Sequence, residues 1–176
     1  MREYEIRSMN TDDFETVMAL ERDIFGEADG EGLLCPHYVR LCTDFYNQSC
    51  FLALHEGQAV GYLLSFVRER EAYCTTLAVR ERYRRSRALP MLIRAFVKGI
   101  AHRVDACRFT VKPENKEARA MHAALGATEI EVRHDYYEPG DTRIVSRIDQ
   151  KAFEALRDRY VRMGLIDARP DLQVVG

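Results

Sequence analysis

The chain has 176 residues, a length that fits one domain with a sizeable core. Hydrophobic residues make up 47% and charged residues 31%, a globular composition that excludes a disordered chain. The net charge of -2, from 26 basic and 28 acidic residues, excludes a polycation that coats nucleic acid with its whole surface and leaves only a local basic patch.

Further classes fall away along the chain. No apolar run approaches the roughly 18 residues of a membrane span, and the start MREYEIRSMN lacks the apolar core of a signal peptide. The cysteines Cys35, Cys42, Cys50, Cys74 and Cys107 are odd in number and never spaced CxxC. That predicts reduced thiols in a cytoplasmic protein, with no disulfide framework and no metal site.

Tyr4 to Arg7 alternates as a first strand. Thr11 reads as an N-cap, with Asp12 and Asp13 in the first turn of a helix whose apolar face is Phe14, Val17, Met18, Ile24 and Phe25. Gly26 ends it, and Gly26 to Gly32 is an acidic, glycine-rich loop. Pro36 opens a second helix to about Phe45, with Tyr38, Leu41, Cys42 and Phe45 on one side. Phe51 to His55 and Val60 to Val67 read as strands joined by a tight turn at Glu56-Gly57-Gln58. After the polar run Arg68 to Glu71 comes a third strand, Tyr73 to Val79. The basic loop Arg80 to Arg87 then leads into the strongest amphipathic helix, marked by Leu89, Leu92, Ile93, Phe96, Val97 and Ile100. Cys107 to Val111 is a strand and Asn115 to Leu125 a short helix closed by Gly126. Thr128 to Tyr137 and Arg143 to Ile148 form a hairpin around Pro139-Gly140-Asp141, and a last helix spans about Lys151 to Met163. The tail after Gly164 is expected to be loosely held. This order predicts an α/β (α+β) fold with a mixed sheet.

Two segments carry chemistry. The first is strand, basic loop, helix: a helix N-terminus offers free N–H groups, and Arg80, Arg82, Arg84, Arg85 and Arg87 add five guanidiniums suited to phosphate. A solvated basic loop is the other reading. The second segment runs from Val111 to Ala127. Ala118, Met121, His122 and Leu125 fall at i, i+3, i+4 and i+7, so His122 lies on the inward face, either as a core histidine or as a catalytic one beside a ligand.

Together the segments resemble the GNAT superfamily of N-acetyltransferases. Leu77-Ala78-Val79 followed by Tyr83-Arg84 resembles that family's strand and pyrophosphate loop. Asn115-xx-Ala118-xx-Met121-His122-xxx-Gly126 resembles its following helix, and Tyr136-Tyr137 with Pro139-Gly140-Asp141 and Arg143-Ile144 its closing hairpin. The resemblance covers roughly Tyr4 to Ile148. It implies a mostly antiparallel mixed sheet flanked by helices, with an acyltransferase domain at 1–149 and an extra helix and tail at 150–176 packed on it. It also implies acetyl-CoA as co-substrate and a primary amine of a small molecule or peptide as acceptor.

The site implied by the resemblance holds CoA with Leu77, Ala78, Val79, Asn115 and the loop Arg84, Arg85, Ser86, Arg87, Ala88 and Leu89, the Val79 N–H serving as an oxyanion donor. Three departures stand out. Arg87 and Leu89 occupy positions where the family has small residues, His122 stands at the position of a proton-donating tyrosine, and Ala127 replaces a phenylalanine. An amine of pKa near 10.4 needs about 4.6 kcal/mol to be neutral at pH 7, so a base or a water chain is expected. The strand offers Tyr73 and Thr75, with Glu71 just before them, and a relay ending at Glu71 or His122 is the reading adopted. Glu27, Asp29 and Glu31 either attract a cationic amine or form a solvated loop. The last helix closes the monomer or pairs two subunits. A different acyl-CoA donor, or a non-catalytic CoA-binding or interaction module, are the alternatives. Binding of nucleic acid through Arg80–Arg87 is disfavoured, since only Tyr83 supplies a stacking ring there.

Overall fold

Period-two alternation of apolar side chains builds one seven-stranded sheet in the computed structural model, which describes residues 4–26 and 33–168. Its strands are β1 (Tyr4–Ser8), β2 (Phe51–His55), β3 (Gln58–Arg68), β4 (Glu71–Val79), β5 (Ala106–Val111), β6 (Thr128–Arg133) and β7 (Arg143–Ile148), in the order β1-β2-β3-β4-β5-β7-β6. Every neighbouring pair is antiparallel except β4 and β5. The helices are α1 (Phe14–Phe25), α2 (Pro36–Asp44), α3 (Ala88–Ile100), α4 (Lys116–Ala124) and α5 (Gln150–Arg162).

Alternation decides which residues meet which helices. Phe51, Ala53, Leu63, Ala72, Cys74 and Phe109 pack with Leu92 and Phe96 of α3 and with Phe153 and Leu156 of α5. Leu52, Tyr62, Leu64 and Ala78 point the other way, onto Val17 and Leu20 of α1 and Val39 and Cys42 of α2. The apolar stripe of α5 therefore closes this chain's own core. The tail is pinned as far as the structure describes it: Ile166 is buried, and the Asp167 carbonyl lies 3.2 Å from His102 Nε2. No helix among the described residues is long and apolar enough to cross a membrane.

Several boundaries differ from the sequence reading. Asn10, not Thr11, is the cap. Its Oδ1 accepts the Asp12 N–H at 2.8 Å, while buried Asp13 accepts the Asn10 N–H at 2.8 Å and a bidentate pair of 2.7 Å bonds from Arg7. A single 3₁₀ turn, Thr11–Asp13, thus precedes α1. The first hairpin needs only Glu56 and Gly57, with φ of 51° and 77°, the paired left-handed residues of a type I′ turn. The polar run is itself a turn, since Arg68 pairs with Glu71. Residues 134–142 leave the sheet. All five cysteines carry free thiols, four of them buried.

The feature that matters most for function is in β4. Leu64 pairs with Thr76 but Ser65 with Cys74, so Thr75 is an extra residue, a β-bulge. Sidedness switches there: Ala72 and Cys74 face the α3 side before it, and Val79 after it. A bulge bends its strand and sharpens its twist. Pairing between β4 and β5 ends at Cys74 with Phe109, just short of the bulge, although both strands continue. Beyond that point they part.

The parted end of β4 is held by close backbone contact. A Cβ at Gly61, opposite Val79, would lie 2.7 Å from the Ala78 carbonyl oxygen and 3.1 Å from Val79 Cα. Gly61→Ala is therefore expected to destabilise the fold by about 1–3 kcal/mol. It should also shift Ala78 and Val79, measurable as a lower Tm and as changed amide shifts in β4. An unchanged Tm contradicts this close packing.

Candidate active site

Where β4 and β5 part, the free edge of β4 becomes a row of donors. Arg80 donates its N–H to the Val60 carbonyl at 2.9 Å, toward β3. Amides alternate along a strand, so the N–H groups of Leu77 and Val79 point the opposite way, into the gap. The gap leads to the head of α3. There Ser86 Oγ accepts the Ala88 N–H at 3.1 Å, while the N–H groups of Arg85, Arg87 and Leu89 donate to no described residue. Free amides and the positive end of a 13-residue helix are the groups that favour an anion.

The arginines of this loop divide. Arg80 pairs with Asp23 of α1 at 2.7 Å and Arg82 stacks over Tyr83 at 4.8 Å. Arg84, Arg85 and Arg87 are exposed. The two departures from small residues leave the mouth of the gap open, because Leu89 packs against the core and Arg87 faces solvent. Asn115 acts first as the N-cap of α4, its Oδ1 accepting the Ala118 N–H at 3.0 Å.

His122 is buried in the inner face of α4 and stacks on Phe109 of β5, ring centroids 4.4 Å apart. Its Nδ1 is buried with no hydrogen-bond partner. Burial lowers its pKa to about 4, against the opposing charge of Glu129. The imidazolium expected of a proton donor is therefore not the form present near neutral pH. The sequence showed that His122 faces inward, but not that Phe109 would cover it.

Tyr73 and Glu71 stand on the other face of the sheet. The Tyr73 hydroxyl bonds Thr110 Oγ1 at 2.9 Å, tying β4 to β5 at the point of parting. Burial raises its pKa well above the ordinary phenol value, so it remains a protonated hydroxyl and not a base. Glu71 accepts the Arg147 Nε at 2.8 Å and lies six residues from Leu77, about 20 Å at the rise of a strand. That distance removes it as a direct base at the gap. Two residues of this face were missed as site candidates. Tyr38 of α2 bonds Thr75 Oγ1 at the bulge, and Thr110 partners Tyr73. Tyr38 read as one of an apolar helical stripe, and only tertiary packing brings its hydroxyl to the bulge. Glu27, Asp29 and Glu31 lie outside the described residues.

The model of the acetyltransferase (GNAT) family matches residues 14–127, and the chain belongs to that family. It is an acyl-CoA-dependent N-acyltransferase. No curated protein matches it by sequence. Among solved structures it resembles the diaminobutyrate acetyltransferase from Paenibacillus lautus, in complex with L-2,4-diaminobutyric acid and coenzyme A. The identity is 23% and the TM-score 0.68, over 84% of this chain and 95% of that one. It also resembles the ribosomal-protein-S18-alanine N-acetyltransferase from Escherichia coli, at 18% identity and a TM-score of 0.67, over 82% and 92%. A third likeness is the loading domain of CurA from Lyngbya majuscula, at 12% and 0.71, over 85% and 98%.

The burial of His122 has a pH signature. Below its ordinary value of 6.5 and down to about 4, the unfolded chain binds a proton that the native ring refuses. Stability then falls with falling pH, by up to about 3 kcal/mol across that window. His122→Phe keeps a ring on Phe109 without titrating, so its unfolding free energy should fall less between pH 7 and pH 4. Denaturant curves for native and variant that stay parallel with pH would show the ring to be accessible to protons.

Proposed function

We propose that the protein moves an acetyl group from acetyl-CoA to a primary amine of a small molecule or peptide by direct attack of the amine. The observation that carries this reading is the parting of β4 from β5 at the Thr75 bulge, with the Leu77 and Val79 amides turned into the gap. Three features suit a thioester on a long pantetheine arm. They are this donor edge, the free amides and exposed guanidiniums of residues 84–89, and the unpartnered Nδ1 of His122. Diaminobutyric acid, the substrate of one structural relative, and the alanine in the name of another are both amines, which supports an amine as the acceptor class.

Bound acetyl-CoA supplies an activated acyl group: the amine nitrogen bonds the carbonyl carbon, the C–S bond breaks, and the departing sulfur ends as a thiol. The Leu77 and Val79 amides would hold the carbonyl oxygen as negative charge grows on it, a contribution of about 3 kcal/mol for one well-placed donor. The Tyr73 hydroxyl, fixed by Thr110, orders the water that takes the amine proton out toward the open face. Its raised pKa suits a hydroxyl that passes a proton along and does not keep one. Neutral His122 packs the opposite wall of the gap and keeps it dry. Arg84, Arg85 and Arg87 carry the pyrophosphate with the loop amides.

A thermal-shift panel of acyl-CoAs, followed by thiol release against an amine library, tests the reading. Acetyl-CoA should raise the Tm, and at least one amine should release thiol. Tyr73→Phe should lower kcat about a hundredfold while leaving the acetyl-CoA Kd unchanged. Arg85→Glu with Arg87→Glu should weaken acetyl-CoA binding and flatten its salt dependence. A thermal shift without turnover on any amine would identify a CoA-sensing module instead.

A further inference from the structure

The face of the sheet that carries Tyr73 is left uncovered at its outer end, where a cavity of about 930 Å³ is lined by Phe66, Arg68, Glu71, Tyr73, Arg108 and Tyr136, among others. Its charges do not balance locally. Arg68 pairs with Glu71 across β3 and β4, and Arg108 with Arg147 across β5 and β7. Three guanidiniums thus surround a single carboxylate. That carboxylate is taken by Arg147 at 2.8 Å. The remaining acids at the rim are engaged or turned outward: Asp105 pairs with Arg70, Asp149 caps α5, and Glu69 is exposed in its turn. Glu131, whose charge also reaches Arg108, is paired with Arg133 at 2.9 Å.

Arg108 is left short of a partner. Its Nε is buried, stands 3.9 Å from Glu71, and makes no hydrogen bond. The side chain as a whole is 35% exposed, so the guanidinium can meet solvent or a ligand while its buried Nε–H lacks an acceptor, which is a cost. Arg108 pairs with Tyr73 across β4 and β5, and the next residue on its face, Thr110, bonds the Tyr73 hydroxyl. An anion on Arg108 would therefore sit on the order of 7 Å along the strand from the point of parting.

We infer that Arg108, seconded by Arg68, is a specificity-determining subsite for a carboxylate on the acceptor, on the stretch where β4 and β5 are still paired and before the gap that holds the reacting amine. An acceptor that reaches both places carries its carboxylate several bonds from its amine, as an acidic second residue of a peptide or an ω-amino acid does, and not on the α-carbon of a free amino acid. The inference rests on the acyl-transfer reading for the position of the amine.

Two measurements keep the two readings apart. The first is kcat/KM for alanyl-aspartyl against alanyl-asparaginyl peptides, and for 6-aminohexanoate against hexylamine, which separates the peptide and small-molecule sources. The native protein should favour the acid in at least one pair by about tenfold or more. Arg108→Gln should bring that ratio near one without changing the neutral acceptor or the KM for acetyl-CoA, and Arg108→Glu should turn preference toward alanyl-lysyl peptides. The second is calorimetric binding of the same acids and neutral analogues in the presence of CoA, which needs no turnover. Turnover with no acid preference overturns the subsite and leaves acyl transfer standing. Acid-selective binding, lost in Arg108→Gln, with no turnover on any amine overturns acyl transfer and leaves the subsite. Neither binding nor turnover of the acids above their neutral analogues overturns the subsite as well.

Discussion

The extra residue at Thr75 is the constraint on which the rest of the molecule depends. Up to Cys74 the central strands β4 and β5 are ordinary parallel neighbours, and after it they diverge while each continues in its own layer. Main-chain donors that a regular sheet would consume are released along this edge, while β3 anchors the strand on its other side. The bulge itself is secured from α2 by the hydroxyl of Tyr38 on Thr75, and the last point of contact between the strands by Tyr73 on Thr110. One irregularity and two hydroxyls thus fix where two strands of one sheet part. Gly61 completes the device, since only the absence of a Cβ lets β3 approach the end of β4 so closely.

The two faces of the sheet then divide the labour. On the α3 side, backbone amides, helix polarity and three exposed arginines supply positive potential toward one end of the cleft, and a buried, neutral His122 stacked on Phe109 lines the wall. On the opposite face the groups are phenols and guanidiniums around one carboxylate. The phenols lie where the strands part, and the guanidiniums where the strands are still paired.

Much of the local structure around the candidate site was legible in the primary structure, because it is set within a few residues. The run from Leu77 through Arg84, the helix signal beginning at Leu89, and the spacing of Asn115, Ala118 and His122 are all encoded within single strand–loop–helix units. The errors were of a different kind. Asn10 was passed over for Thr11 because either can cap a helix, and the choice fell to Asp13, which is fixed by Arg7 from the neighbouring strand. Glu71 was read as the end of a proton relay, and counting along the chain could not show which groups would meet it. In an extended strand each residue adds about 3.3 Å, and the arginines that occupy it come from β7 and β5.

The amino-acid sequence by itself determined the element order, the mixed α/β class, the basic loop before α3 and the inward placement of His122, because periodicity, capping and turn chemistry act within a few residues. Only the tertiary structure decided where β4 leaves β5, which hydroxyl meets Thr75, that His122 is desolvated by Phe109, and that Arg108 shares with Arg147 a carboxylate that Arg147 holds more closely. Those outcomes depend on register and on burial between different elements, such as Tyr38 and Thr75 or Tyr73 and Thr110, 37 residues distant in each case. Local pattern carries no record of such pairings. Their energies arise only when water is removed and the partners are brought face to face.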